Sequence, residues 1–264
     1  MKSKKLALPY ILWMLVFVLV PLGMVIAFAI RDDGGSFTFE FISKAWGYRD
    51  VFLHSLWVAL LSTAICLLLA YPLSYIISRA KARTQRTVIM LVMVPMWMNF
   101  LLRIYAWVVL LSKGGPIDSL LGIFGIHVPL IGNTGAVVLG MVYEFLPFMI
   151  LPLYTVMGKI DKSLIEAAQD LGSNGFKVFS KVVLPLSVPG IVSGVTMVFV
   201  PTASTFLVSQ YLGGTDDIMI GDVIEKVFQT DRHTGSALSL CLMVIILLFI
   251  IVMNRFGDEE AVGV

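Results

Sequence analysis

Two ionisable side chains interrupt otherwise uncharged apolar runs of this chain: Arg103 in the run 88–112 and Glu144 in the run 135–158. A charge in such surroundings is costly and marks either a pathway or a pinned contact. If the two runs form adjacent antiparallel helices, Arg103 and Glu144 lie at about the same depth and can meet as an ion pair. Such a pair either locks the helices together or leaves Glu144 on a path for cations, with Arg103 restraining it. Trp97, Tyr105, Trp107 and Tyr143 lie around the same level. Aromatic faces attract alkylammonium groups, but Trp and Tyr also gather in interfacial belts, the default reading for Trp107. Ser204 and Thr205, in Pro201-Thr202-Ala203-Ser204-Thr205, either satisfy carbonyls freed by the proline or line a gate with uncharged hydroxyls. Other chemistry is sparse. Cys66 and Cys241 fall inside apolar runs, which leaves no disulfide framework or metal spacing. His54, His127 and His233 are scattered, with no nucleophile, base and orienter pattern, so an intramembrane enzyme is unsupported.

The elements that must hold these residues follow from composition. The chain has 264 residues, of which 58% are hydrophobic and only 14% charged. Soluble domains carry about a quarter charged residues. The uncharged runs are long enough to cross a bilayer core of about 30 Å, which takes roughly 20 residues as a helix. Six spans are expected, at about 6–30, 55–78, 88–112, 135–158, 186–212 and 234–254, making an all-α polytopic membrane protein. The first run follows Lys2, Lys4 and Lys5 but is too long for the apolar core of a cleaved signal, and is read as an uncleaved first helix. Positive loops stay in the cytoplasm. With the amino terminus inside, twelve Lys and Arg lie on the inner side and six on the outer, so both termini are expected in the cytoplasm. Ten acids then fall outside against six inside, an excess that is either idle or attracts cations by its field.

The same topology makes 159–185 a cytoplasmic loop. Ser163-Leu164-Ile165-Glu166 has the capping-box form, and Gly172 supplies a left-handed stop. A second helix is expected after Ser173, with Phe176, Phe179, Val182 and Val183 on one side. Leu184-Pro185 should end it, because the residue before proline leaves helical geometry. Ala167-Ala168 gives the first helix a small-residue face that another protein can approach. A loop of two specified helices points to a docking surface; an amphipathic interfacial helix is the other reading.

Glu166-Ala167-Ala168, then Gly172 and Leu184-Pro185, resemble the EAA motif of the membrane permeases of ATP-binding-cassette importers. Asn99-Phe100-Leu101-Leu102-Arg103-Ile104-Tyr105, Tyr143 with Leu146-Pro147-Phe148-Met149, and Leu212-Gly213-Gly214 with Ile220-Gly221-Asp222-Val223-Ile224 resemble the B-type permeases of spermidine/putrescine importers. Glu144, where that family is expected to be apolar, and the acidic Asp216-Asp217 pair depart from the pattern. The resemblance implies a type I importer permease fold and a non-catalytic transport subunit in a prokaryotic plasma or inner membrane. It implies a coupling helix around Ser163, Glu166, Ala167, Ala168 and Asp170, with Gly172, Leu184 and Pro185 completing the motif. It also implies a second related permease, a dimer of separate ATPases that use ATP and Mg²⁺, and a soluble polyamine-binding protein. Asp216, Asp217, Asp222 and Glu225 are then a solvated face or the surface met by that binding protein. No GxxxxGK[ST] phosphate loop is present in the sequence, and neither a metal site, a cofactor of its own nor a nucleic-acid partner is expected. An importer of another small solute, an oxyanion or amino acid, is the alternative. A secondary transporter would favour paired interrupted helices with ionisable groups in both halves.

Overall fold

The computed structural model describes residues 3–126, 128–215 and 217–261. Six segments among them are long and apolar enough to cross a membrane: Pro9–Ile30, Arg49–Arg79, Phe100–Ile123, Thr134–Met157, Gly175–Ser204 and Arg232–Phe256. The first is α1 (Ser3–Met14) and α2 (Val20–Ile30), joined by the π turn Leu15–Leu19. The short α3 (Glu40–Trp46) leads to α4 (Arg49–Arg79), which runs unbroken through Pro72.

The third run departs from expectation. It is not one helix over 88–112 but α5 (Ala82–Met93), a 3₁₀ turn Val94–Trp97, a break at Met98-Asn99, and then α6 (Phe100–Leu111) and α7 (Pro116–Ile123). The physical reason lies in Pro95 and Asn99. Proline has no N–H to continue the ladder, and Asn99 caps the new helix by accepting the Leu101 N–H at 2.9 Å. The apolar stretch long enough to cross is therefore displaced toward the carboxyl end.

Helix α8 (Thr134–Met157) follows, then α9 (Lys162–Asp170) and α10 (Gly175–Val178). A π turn, Phe179–Val183, joins α10 directly to α11 (Leu184–Ser204). Leu184-Pro185 thus does not end a helix. In the π turn the Leu184 N–H reaches back to the Phe179 carbonyl, the wider i→i+5 spacing that relieves the clash a proline makes with the preceding turn. The fifth span accordingly begins at Gly175 and stops at Ser204, where 186–212 was expected. Helix α12 (Leu207–Leu212) stands apart beyond the break at Thr205-Phe206, and α13 (Ile220–Thr230) and α14 (Arg232–Ala261) complete the described residues.

The core is the trio α4, α8 and α11. Lipid offers apolar helices no hydrophobic incentive to associate, so close approach through small residues must supply the contact. Helix α4 buries Ser55, Ala59, Ser62, Cys66, Ala70 and Ser74 along one stripe. Across it, Ser74 donates to the Ile150 carbonyl at 3.2 Å. On α11, Gly194 lies so near α8 that an added Cβ would meet Met149 Sδ at 2.6 Å. A second layer packs α14 against α2, α3 and α13. Large apolar side chains elsewhere on the spans point outward, as a protein solvated by lipid requires.

Candidate functional site

At one end of the bundle, α9 is held by caps at both ends. Its amino-terminal cap is Asp161, which accepts the Ser163 N–H at 3.0 Å, so the expected Ser163–Glu166 capping box does not form. The helix starts two residues earlier than the sequence pattern implied, and a carboxylate there also meets the positive end of the helix dipole. The hydrogen bond from Ser163 holds the Asp161 carboxyl below its ordinary value. Gly172 does stop the helix, with φ of +80°. Its N–H donates to Gln169 and the Ser173 N–H to Ala168, at 2.8 and 3.1 Å, closing the helix end in a Schellman pattern.

Ile165 and Ala168 pack against Ile160, Val178 and Val183, and these seat α9 on the bundle. Ala168 therefore faces inward, whereas the sequence grouped it with Ala167 on the approachable face. Ser163, Glu166, Ala167, Asp170 and Gly172 are exposed, beside the exposed apolar side chains of Leu164, Leu171 and Phe176. Leu184 and Pro185 lie exposed on the flank of the fifth span. The result is a capped knob with a mixed apolar and acidic tip.

Inside the bundle, Arg103 and Glu144 meet. Asn99 starts α6 and so places Arg103 one turn in, where Nη2 lies 2.8 Å from Glu144 Oε2 on α8. Glu144 is 1% exposed and Arg103 8%. The contact is close but poorly aligned. Neither Glu144 oxygen nor Arg103 Nε has a hydrogen-bond partner of proper geometry among the described residues. A buried pair left this incompletely bonded is poorly compensated for its desolvation.

Around the pair, Trp107 packs edge-on to Tyr143 at 5.4 Å, and Tyr105 lies 4.9 Å from Tyr211 on α12. The structure thus places Arg103 with Glu144 and Trp107 with Tyr143 along the contact of α6 with α8, while Tyr105 meets α12 instead. It does not gather the others. Trp97 is 77% exposed on the 3₁₀ turn. Ser204 lines a separate open groove with Phe206 and Glu225, and its hydroxyl donates back to Val200 at 3.0 Å. The Thr205 N–H donates to the Pro201 carbonyl at 2.9 Å, so both residues finish α11 rather than line this cluster. Tyr211 was not singled out in the sequence, because nothing local marks it; α12 must first fold back onto α6.

The acidic residues of 216–225 divide. Asp217 and Asp222 are buried, which corrects their reading as a solvated face. Asp217 accepts the Thr134 hydroxyl and the Gly214 N–H, tying the Gly213-Gly214 turn to the start of α8. Asp222 accepts the Ser209 hydroxyl at 2.7 Å and the Met219 N–H at 2.9 Å. Burial pushes its carboxyl above the ordinary value, with these two bonds opposing. Its neighbours fit the same crossing: Ile220 N–H donates to Ser55 at 2.7 Å, and a Cβ at Gly221 would stand 2.8 Å from the carbonyls of Ser204 and Thr205. Glu225 remains half-exposed and accepts from Gln229. Asp216 and His127 lie outside the described residues.

Residues 70–258 match the family of binding-protein-dependent transport system inner membrane components. The chain belongs to this family. It is 36% identical to the spermidine/putrescine transport system permease protein PotB of Haemophilus influenzae, across 92% of this chain and 90% of that one. It is 35% identical to PotB of Escherichia coli K12, across 92% and 93%. In three dimensions it is similar to a chain of a bacterial ABC transporter involved in the import of the acidic polysaccharide alginate. That match has a TM-score of 0.75 at 17% identity and covers 97% of this chain and 95% of the other. The fold of this inner-membrane component is that of an ABC importer permease.

Proposed function

We propose that this chain is one of two related permeases that together form the translocation path of an ATP-driven importer of polyamines, spermidine and putrescine. The observation that carries the substrate class is the end-to-end similarity to permeases named for those two amines. In this reading both termini and α9 are cytoplasmic, as the excess of Lys and Arg on that side supports. The exposed tip of α9 docks on one member of a separate ATPase dimer, which binds the ATP and Mg²⁺. A soluble polyamine-binding protein delivers cargo at the opposite end. Glu144, held by Arg103 and next to Tyr143 with its Trp107 contact, together with Tyr105 on the α12 side of α6, supplies the carboxylate and aromatic groups that suit an alkylammonium in transit.

The test is ATP hydrolysis by the reconstituted complex supplied with binding protein and spermidine. The wild type is expected to be stimulated. Glu166→Lys, which reverses a charge on an exposed position of α9, is expected to leave membrane insertion intact and to uncouple hydrolysis from uptake. Normal uptake by that variant would remove the docking role. A wild type indifferent to spermidine but stimulated by an oxyanion or amino acid would reassign the substrate.

A further inference from the structure

The joint between α10 and α11, within the fifth span and just after the α9 loop, is a π turn rather than a loop or an unbroken α-helix. Single π turns inside α-helices recur at functional positions, where they alter the register of one half of the helix against the other. Two contacts fix this one to α4. Phe179, its first residue, packs edge-on to Tyr71 with ring centroids 5.6 Å apart. The Tyr71 hydroxyl then lies 2.9 Å from Ser187 Oγ, one turn beyond the joint.

The direction of that bond is set by its neighbour. Ser187 Oγ lies 2.8 Å from the Leu184 carbonyl, which can only accept, so the serine proton is committed there. The Ser187 oxygen must therefore accept from Tyr71. The phenol thereby reaches, through one serine, the backbone just after the π turn. Ser187 is fully buried and Tyr71 nearly so. Beside them, Tyr71, Pro72, Phe179 and Leu184 line an open apolar cavity of about 690 Å³. The joint borders this cavity, and the hydroxyl chain ties α11 to α4 there.

We propose that Tyr71 and Ser187 are positioning residues for energy coupling: they lock the π turn so that displacement of α9 moves α11 instead of being absorbed at the joint. The inference rests on α9 being the site at which the ATPase docks. Without the bond, the open cavity lets Phe179 and the turn yield, and part of each stroke is lost before it reaches the core trio.

The measurement is spermidine taken up per ATP hydrolysed, in proteoliposomes holding the whole complex. Tyr71→Phe keeps the ring contact with Phe179 and removes only the hydroxyl. A net hydrogen bond of ordinary strength corresponds to a change of about threefold to tenfold, and uptake per ATP should fall by that order in Tyr71→Phe and in Ser187→Ala. Because the two share one bond, the double variant should be no worse than either single one. Ser193→Ala is the control, since its exposed hydroxyl bonds only to its own helix, at Pro189; its ratio should be unchanged. An unchanged ratio in Tyr71→Phe overturns the proposal. So does a parallel loss of uptake and hydrolysis in step with the amount of assembled complex, which is what a purely structural role produces. A wild-type permease that binds no ATPase would overturn the docking reading itself, and this inference with it.

Discussion

Replacing Arg103 by leucine leaves the Glu144 carboxylate buried with no cation, because the structure gives Glu144 no other partner among the described residues. Removing one member of a buried ion pair costs roughly 3–5 kcal/mol, whereas replacing both by apolar groups of similar volume is neutral or stabilising. For a chain of this size each kcal/mol moves the melting temperature by about 2–4 °C, so Arg103→Leu should melt about 6–20 °C below the wild type. Arg103→Met combined with Glu144→Leu should recover most of that loss. The assay is thermal unfolding of the purified permease complex followed by tryptophan fluorescence, beside uptake of labelled spermidine. If Glu144 lies on the cation path, the double variant is stable but does not transport. If the pair only pins α6 to α8, the double variant is stable and transports. A single variant that melts with the wild type, or a double variant that melts as low as the single one, would refute the reasoning, since neither fits a desolvated pair.

Gly172 holds a left-handed conformation with open space where a Cβ would go, so the penalty of substitution is conformational, about 1–2 kcal/mol for an ordinary side chain. Gly172→Asn should retain more coupled uptake than Gly172→Val, and equal activities would exclude a role for the α9 stop. Asp222 has a folded-state carboxyl raised above its ordinary 3.8 by burial. Its stabilising contribution is therefore complete below that value and is lost as pH rises through the raised one. The wild type should lose melting temperature as pH climbs from 3.8 through this window, and Asp222→Asn, which keeps an acceptor oxygen for Ser209 and Met219, should flatten the profile. A variant as pH-sensitive as the wild type would assign the dependence to other groups.

Some of this was readable from order and type alone. Uncharged runs located six spans because lipid excludes unpaired charge, and the structure keeps six, with the third and fifth displaced. Gly172 stopped α9 as read, since only glycine enters that region freely. The Arg103–Glu144 contact followed from two lone charges at matching depth. The failures share one cause. Local rules for proline and capping count only neighbours in sequence, and at each failure a distant segment or a shift of two residues changed the outcome. Leu184-Pro185 continues a helix because a π turn precedes it. Asp161 displaces Ser163 as the cap because the helix begins earlier. Asp217 and Asp222 are buried because the Gly213-Gly214 turn and α13 cross other backbone, at Gly132 and at the end of α11.

Residue order was thus sufficient for whatever depends on transfer into lipid or on the conformational range of a single residue. It could not place Tyr211 against Tyr105, nor join Tyr71 to Ser187 across 116 residues. Those contacts depend on how α4, α6, α11 and α12 rotate about their own axes, and that rotation is set only when the small-residue faces of α4, α8 and α11 lock together.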